Sequence, residues 1–338
     1  MLIHTDGFDY VGVGAGCRSA LTARGWLQAD FLSDAAPRFA TPGLAKAVVG
    51  TNALANLSWP LTGSPSLRWT LGYGQLLQFT GQTMLAAANA DGDQFYVKIN
   101  NSGQAELRLA DDTLLATSTA AFAMDAWYFV EVQFVCVNET GLFILHVDGE
   151  EWMNLVNQNL AFQGSAGVTV VRLINYVGQA IDDLYLLNDD ETAEPTDFLG
   201  DHRIITKAPD GDHGTPQWTP SGAGSNYAQI DDIPLAGSDY VKSATSGERD
   251  LYNFANEVDT ALVVVAVTHA ALAYKDDVGA RAVDLVVRTG GAVYVGDTFS
   301  LSASPQYVQQ IRTTDPDTSV AWTISGVNAA QFGQDVSV

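Results

Sequence analysis

The 338-residue sequence predicts an all-β protein made of two antiparallel β-sandwich domains. Three observations carry this. Apolar residues recur with a period of two, turn-forming residues interrupt them at short intervals, and no amphipathic helix of three turns separates them. A 47% hydrophobic share, with 7 Trp, 12 Tyr and 14 Phe, supplies enough apolar surface for a large core and argues against disorder.

The elements follow in chain order. Residues 94–99 and 105–109 read as strands joined by the turn Asn100-Asn101-Ser102-Gly103, whose residue types suit the left-handed backbone of a tight hairpin. Residues 127–137 form the next strand, with Val130, Val132, Phe134 and Cys136 on one face. Asn138-Glu139-Thr140-Gly141 turns it back into residues 142–147, and Asp148-Gly149 marks a further turn. Residues 168–173 and 181–187 supply two more strands. Outer strands that alternate with polar residues fit a half-solvated antiparallel sheet.

The acidic run Asn188-Asp189-Asp190-Glu191-Thr192-Ala193-Glu194-Pro195 lacks large apolar side chains and ends in proline. It sets a domain boundary, giving residues 1–195 and 196–338. Beyond it, residues 199–205 are a strand candidate, and residues 208–247 are rich in Gly, Pro, Ser and Asp. Residues 261–268, 282–288 and 307–312 have strand patterns, and Ala261-Leu262-Val263-Val264-Val265-Ala266-Val267 suits one fully buried strand. Residues 325–332 predict a short helix with Ser325 as its N-cap. The second domain is therefore also mainly β, and no repeat of 20–50 residues relates the halves.

Charge narrows the function classes. Sixteen Lys and Arg against 39 Asp and Glu give a net charge of −23, which disfavours nucleic acid and anionic lipid as partners. No run reaches the ~18 apolar residues that would suggest a membrane span, and the first residues lack a secretory pattern. Of the two cysteines, Cys17 and Cys136, the latter reads as a buried small hydrophobe.

Catalytic motifs are weak. Gly12-Val13-Gly14-Ala15-Gly16 imitates a dinucleotide loop, but its third required glycine falls on Cys17, and neither a preceding core strand nor a following helix is predicted. His4, His146, His202, His213 and His269 are scattered and form no zinc motif. Asp210, Asp212 and His213 are the candidate metal ligands, with Ca²⁺ the one cofactor considered, although a solvated acidic turn is the favoured reading of them. Asn89-Ala90-Asp91-Gly92-Asp93 resembles the start of a calcium loop, but Gln94 and Asn100 stand where its glycine and bidentate carboxylate belong, so a hairpin turn is preferred. No pair among Glu131, Asp148, Glu150 and Glu151 converges as a glycosidase requires. Trp59, Trp69, Trp127, Trp152 and Trp218 carry rings able to stack on sugars, with core packing as the default.

The segments Ala126-Trp127-Tyr128-Phe129-Val130-Glu131-Val132, residues 141–149 ending in Val147-Asp148-Gly149, and Ile181-Asp182-Asp183-Leu184-Tyr185-Leu186 together resemble the second half of a concanavalin A-like (laminin-G-like) jelly roll. That resemblance covers about residues 1–195, and the glucanase pattern E-x-D-x-x-E is missing from it. Four further segments resemble a region found after such jelly rolls in tailed-bacteriophage virion proteins. They are residues 198–204, Gln217-Trp218-Thr219-Pro220-Ser221-Gly222 with Asn226-Tyr227 and Asp239-Tyr240-Val241, residues 274–281, and Ala321-Trp322-Thr323 with residues 327–333. The resemblance implies a non-enzymatic structural protein on the virion exterior, in the tail, tail fibre or tip, or as a capsid or collar decoration. Its implied partners are other virion proteins, further copies of the chain in a homo-oligomer (a trimer, as fibres usually are), and host-surface glycan. Trp218 and Tyr227 are the expected interface anchors, packing residues 208–247 against the first domain or a neighbouring subunit, with Trp152 and Trp59 as further binding candidates.

Overall fold

The computed structural model describes residues 1–10, 15–29, 32–39, 47–50, 55–64, 66–164, 166–176, 178–190, 197–233 and 238–337. The chain divides into two compact units, Met1–Ile205 and Thr206–Val338. The division falls ten residues beyond the acidic run, because residues 198–205 are bonded to the first unit, as shown below.

In the first unit the strands are β1 (Leu2–Asp6), β2 (Gln28–Ala29), β3 (Leu32–Ala35), β4 (Ala47–Gly50) and β5 (Ala55–Pro60). They continue with β6 (Trp69–Leu77), β7 (Thr83–Asn89), β8 (Gly92–Ile99), β9 (Gln104–Leu109) and β10 (Leu114–Ala121). The last are β11 (Ala126–Val135), β12 (Gly141–Val147), β13 (Glu150–Gln158), β14 (Val170–Asn175) and β15 (Ala180–Asn188). One sheet runs β13-β12-β11-β6-β15-β4-β3, with β1 also on β15; the other runs β10-β9-β8-β7-β14-β5-β2. Every pairing is antiparallel, so the unit is a two-sheet sandwich of the jelly-roll kind. Val130, Val132, Phe134, Phe143 and Leu145 from one sheet meet Leu85, Phe95, Val97 and Leu107 from the other in a continuous core. The Phe95 ring meets Phe134 and Phe143 edge-on, at 5.3 and 5.8 Å.

The alternating pattern is visible in β12, where every second residue is buried. It fails in β15, where every residue is buried, and over residues 129–134 of β11. Those strands are covered on both faces. A helix α1 (Ala15–Ala23) also follows β1, contrary to the sequence expectation. β1 is antiparallel to its neighbour β15, so this is not the parallel β-α-β unit of a dinucleotide fold. Residues 12–14 of the glycine run lie outside the described residues.

The second unit holds β16 (Pro209–Asp212), β17 (Thr219–Pro220), β18 (Val241–Lys242), β19 (Arg249–Phe254), β20 (Val267–Ala273) and β21 (Ala282–Thr289). β22 (Ala292–Ser300), β23 (Gln306–Arg312), β24 (Thr314–Asp315), β25 (Val320–Ala321), α2 (Ile324–Ala329) and β26 (Gln331–Val336) complete it. A five-stranded sheet β16-β19-β26-β21-β22 packs against the two-stranded ribbon β20-β23 through Val283, Leu285 and Val308. Three expectations change here. The N-cap of α2 is Thr323, whose side chain accepts the Gly326 N–H, not Ser325. Residues 199–205 form no strand, because side chains rather than a neighbouring strand hold their amides. Residues 261–266 are neither a strand nor fully buried, with Val263 87% exposed. Among the described residues no helix is long and apolar enough to cross a membrane.

Candidate functional site

Strand β15 carries two adjacent aspartates inside an apolar run, Ile181-Asp182-Asp183-Leu184, and buries both. Consecutive strand residues point to opposite faces, so an ordinary strand could not use both carboxylates at one place. The register against β6 shifts between Asp182 and Tyr185, and Asp183 has φ 51°. This bulge bends the strand and redirects the pair. Two glycines on β6 clear the space beside it. A Cβ on Gly72 would fall 2.0 Å from the Tyr185 ring, and one on Gly74 would fall 2.8 Å from the Arg38 side chain.

Arg38 occupies the cleared space. Its backbone N–H donates to Asp182 Oδ2 (2.8 Å), its Nε to Asp183 Oδ2 (3.0 Å), its Nη1 to Asp201 Oδ1 (2.7 Å) and its Nη2 to the His202 carbonyl (2.5 Å). The guanidinium also lies over the rings of Phe39 (4.2 Å) and Phe129 (4.8 Å). Asp182 Oδ1 accepts the Asp183 N–H, and Asp183 Oδ1 accepts the Ile204 N–H, each at 2.8 Å. All four oxygens of the pair therefore accept a bond from the chain itself. Burial pushes Asp182 upward, with the adjacent Asp183 charge adding to it. Burial also raises Asp183, against the opposing Ile204 N–H and Arg38.

Residues 198–205 form a strap across the outer face of the same sheet. Its first contacts follow one cross-strand row: His146 pairs with Glu131, Glu131 with Gly72, and Gly72 with Tyr185. Phe198 stacks on His146 (4.1 Å), the Leu199 N–H reaches the Tyr185 hydroxyl (3.2 Å), and the Gly200 N–H reaches Glu131 Oε1 (2.8 Å). The Tyr185 hydroxyl donates to the same Glu131 oxygen at 2.5 Å. The His202 ring packs against Tyr185 and Phe129, and burial lowers its pKa. Beside the strap lies a recess lined by Asp9, Pro37, Phe39, Asp182, Asp183, Arg203 and Ile204. Its free volume of about 10 Å³ has room for roughly one water, far below a ligand pocket.

Two other buried aspartates play the same part. Asp6 accepts bonds from the Phe8 N–H (2.9 Å), the Tyr10 hydroxyl (2.8 Å) and Trp26 Nε1 (2.9 Å). In the second unit, Asp250 accepts the N–H groups of Gln217 and Trp218, the Asn226 amide and the Tyr252 hydroxyl. Each of these carboxylates fixes a non-regular segment to a sheet, which satisfies backbone donors that have no ladder partner.

The residues singled out from sequence fall in separate places. Trp218 packs on the Val283, Leu285 and Val308 cluster of its own unit, and its Nε1 donates to the Glu248 carbonyl (3.1 Å). Tyr227 begins a 3-10 turn whose N–H groups, from Asn226 and Tyr227, are held by Asp212. Among the described residues no three His, Cys, Asp or Glu side chains gather to hold a metal. Trp59 stacks on the buried His4 (3.7 Å), and Trp152 packs on Phe122 (4.5 Å). Asn89 Oδ1 accepts from the Asp91 N–H and Gln94 Nε2, as a hairpin turn would have it. Cys136 is a free, buried thiol, pushed up to about 12 by burial.

Sequence reasoning missed Arg38, Asp9, Asp201, His202 and Arg203, and read Asp182-Asp183 only as a fold motif. The available signal was the pair itself, because two carboxylates inside a buried strand require partners elsewhere in the chain.

No known family profile matches the chain, and no curated protein does. Among solved structures, it is similar to an endo-β-1,4-glucuronan lyase from Trichoderma reesei, with 13% identity over 55% of this chain and 95% of that one, at a TM-score of 0.39. Domain 4 of an extracellular arabinanase from Geobacillus stearothermophilus gives 14% identity, 55% and 91% coverage, and a TM-score of 0.35. A Caenorhabditis elegans galectin gives 16% identity, 39% and 89% coverage, and a TM-score of 0.30. The chain spans only 25% of the Trypanosoma rangeli sialidase it also matches. Likenesses this distant carry no argument about what the chain does.

Proposed function

We propose that the chain is a non-enzymatic structural protein of a tailed-phage virion, exposed on the particle exterior and assembled with other virion proteins and further copies of itself. The observation that carries the non-enzymatic part is the closure of the Asp182–Asp183 site. Its four carboxylate oxygens all bond to the chain, and its recess takes about one water. The virion placement rests on the sequence segments that resemble such proteins. A rigid sandwich with its coil tied down by buried carboxylates suits a particle surface exposed to proteases. Mass spectrometry of purified particles, with immunogold labelling to locate the chain, tests the proposal. Finding the chain in infected-cell lysate but not in particles would refute it.

A second reading has one observation in its favour. Phe39 is 36% exposed beside Asp9 and Arg203, an aromatic next to polar side chains of the kind that glycan binding needs. Glycan-array binding with and without Ca²⁺, reduced by Phe39→Ala, would support a host-attachment role. Silence under both conditions would remove it.

A further inference from the structure

Arg203 stands on the strap between two residues that are fastened to the sheet. The His202 carbonyl before it accepts Arg38 Nη2, and the Ile204 N–H after it donates to Asp183 Oδ1. Its backbone is therefore held on both sides, while its side chain is left unused. Among the described residues no hydrogen bond or ion pair reaches the Arg203 guanidinium, and its buried Nε has no acceptor. Arg38, close by, meets four acceptors. Asp182 and Asp183 line the recess together with Arg203, yet their four oxygens are taken by donors other than Arg203. In a chain with 39 Asp and Glu against 16 Lys and Arg, a cation left unpaired beside carboxyls calls for a reason. An aromatic ring adjoins it. Arg203 Cζ lies 5.8 Å from the centre of the Phe39 ring, and Phe39 is 36% exposed.

We infer that Arg203 and Phe39 form a subsite for a carboxylated sugar residue, a uronic or sialic acid, whose carboxylate sits on the guanidinium. The apolar C–H groups of the sugar lie against the exposed part of the Phe39 ring. The inference rests on the glycan reading above and names the class of glycan. A guanidinium offers the planar, charged donors that a carboxylate accepts best, and an aromatic ring covers the apolar part of a sugar. Because residues 202 and 204 are already pinned, binding orders only the Arg203 side chain, which keeps its entropic cost low. Burial and the Asp183 charge hold Asp182 protonated to higher pH than an ordinary carboxyl, which lessens the negative charge facing the ligand. The net charge of −23 does not forbid the contact, since exposed charges beyond about 8 Å are screened at physiological salt. An acidic protein segment carries the same carboxylate chemistry, but a stable protein contact needs about 800 Å² on each side. One cation beside one ring matches the footprint of a single sugar residue instead.

The test is binding of the full chain, at about 150 mM salt, to polygalacturonate and sialyllactose, each beside its methyl ester, with neutral glycans and poly-L-glutamate as further probes. The expected result is binding of at least one acidic glycan about tenfold more tightly than its ester. Arg203→Gln is expected to abolish that preference with an unchanged melting temperature, because no hydrogen bond or ion pair within the chain is lost. Phe39→Ala is expected to weaken the acidic glycan and its ester alike. Equal binding of acid and ester, or binding of neutral glycans alone, would overturn the inference and leave the glycan reading standing. A preference for the acid that survives Arg203→Gln would overturn it as well, as would poly-L-glutamate binding as tightly as the sugar. Silence on every glycan would remove the glycan reading and this inference with it.

Discussion

Replacing Arg38 by alanine removes the cation that ties β15 to the strap. The Arg38 and Asp183 side chains are 6% and 4% exposed, so their contact is a buried ion pair. Breaking such a pair from one side costs about 3–5 kcal/mol. The Asp201 partner is 48% exposed and adds at most about 1 kcal/mol. A total near 4 kcal/mol, in a unit of this size, lowers the melting temperature by roughly 8–16 °C. The pH dependence has a definite sign. Arg38 opposes the upward shift that burial imposes on Asp183, so its removal raises that carboxyl further. A group with a raised folded-state pKa contributes stability at low pH that is lost as pH rises through the folded value. The deficit of Arg38→Ala against the parent is therefore largest at neutral and alkaline pH and narrows on acidification. Scanning calorimetry of the full chain between pH 5 and 9 measures both effects. A variant melting within ~2 °C of the parent at pH 7, or a deficit that grows on acidification, would refute the reasoning.

Three further perturbations follow from the same contacts. Gly72→Ala drives a methyl into the Tyr185 ring and is expected to cost about 3 kcal/mol or more, seen as a lost or sharply lowered first-unit transition. Burial, followed by the Arg312 charge, pushes His269 down to about 3. The second unit should therefore keep the full contribution of neutral His269 above pH 6.5 and lose it as pH falls towards 3, and a His269→Gln variant should show a flatter denaturation profile. Iodoacetamide should modify Cys136 only on unfolding, since its thiol is buried and raised to about 12; peptide mapping at pH 8 that finds rapid native-state labelling there would contradict this.

Much of the sandwich was legible because a sheet with one solvated face prints its alternation in the sequence. Strand β12 is the clearest example, with Gly141, Phe143, Leu145 and Val147 buried and the residues between them half-exposed. Strand β15 was located correctly, yet its two buried carboxylates were opaque, because apart from the Asp183 N–H their partners lie 21 to 145 residues away in the chain. Helix α1 escaped notice since it has neither an acidic first turn nor a basic last turn. Residues 199–205 looked like a strand from composition, but their amides are bonded to side chains rather than to a ladder. The valine run at residues 261–267 misled in the opposite way, because local β propensity cannot reveal that only its last residue, Val267, joins a paired strand. Trp218 drew attention as an interface anchor, and its packing on Val283 and Leu285 was not legible because those residues lie far away in sequence.

The central claim is that buried carboxylates close the candidate site by fastening the strap to the sheet. Native-state amide exchange at Gly200 and Ile204 tests it most directly, since those N–H groups bond to Glu131 and Asp183 rather than to any strand. The account predicts protection of both amides well above that of exposed coil, with the Ile204 protection lost in Asp183→Ala and the Gly200 protection lost in Glu131→Ala. Exchange in the parent as fast as in an unstructured peptide would contradict it and leave the outer face of the sheet open to a ligand.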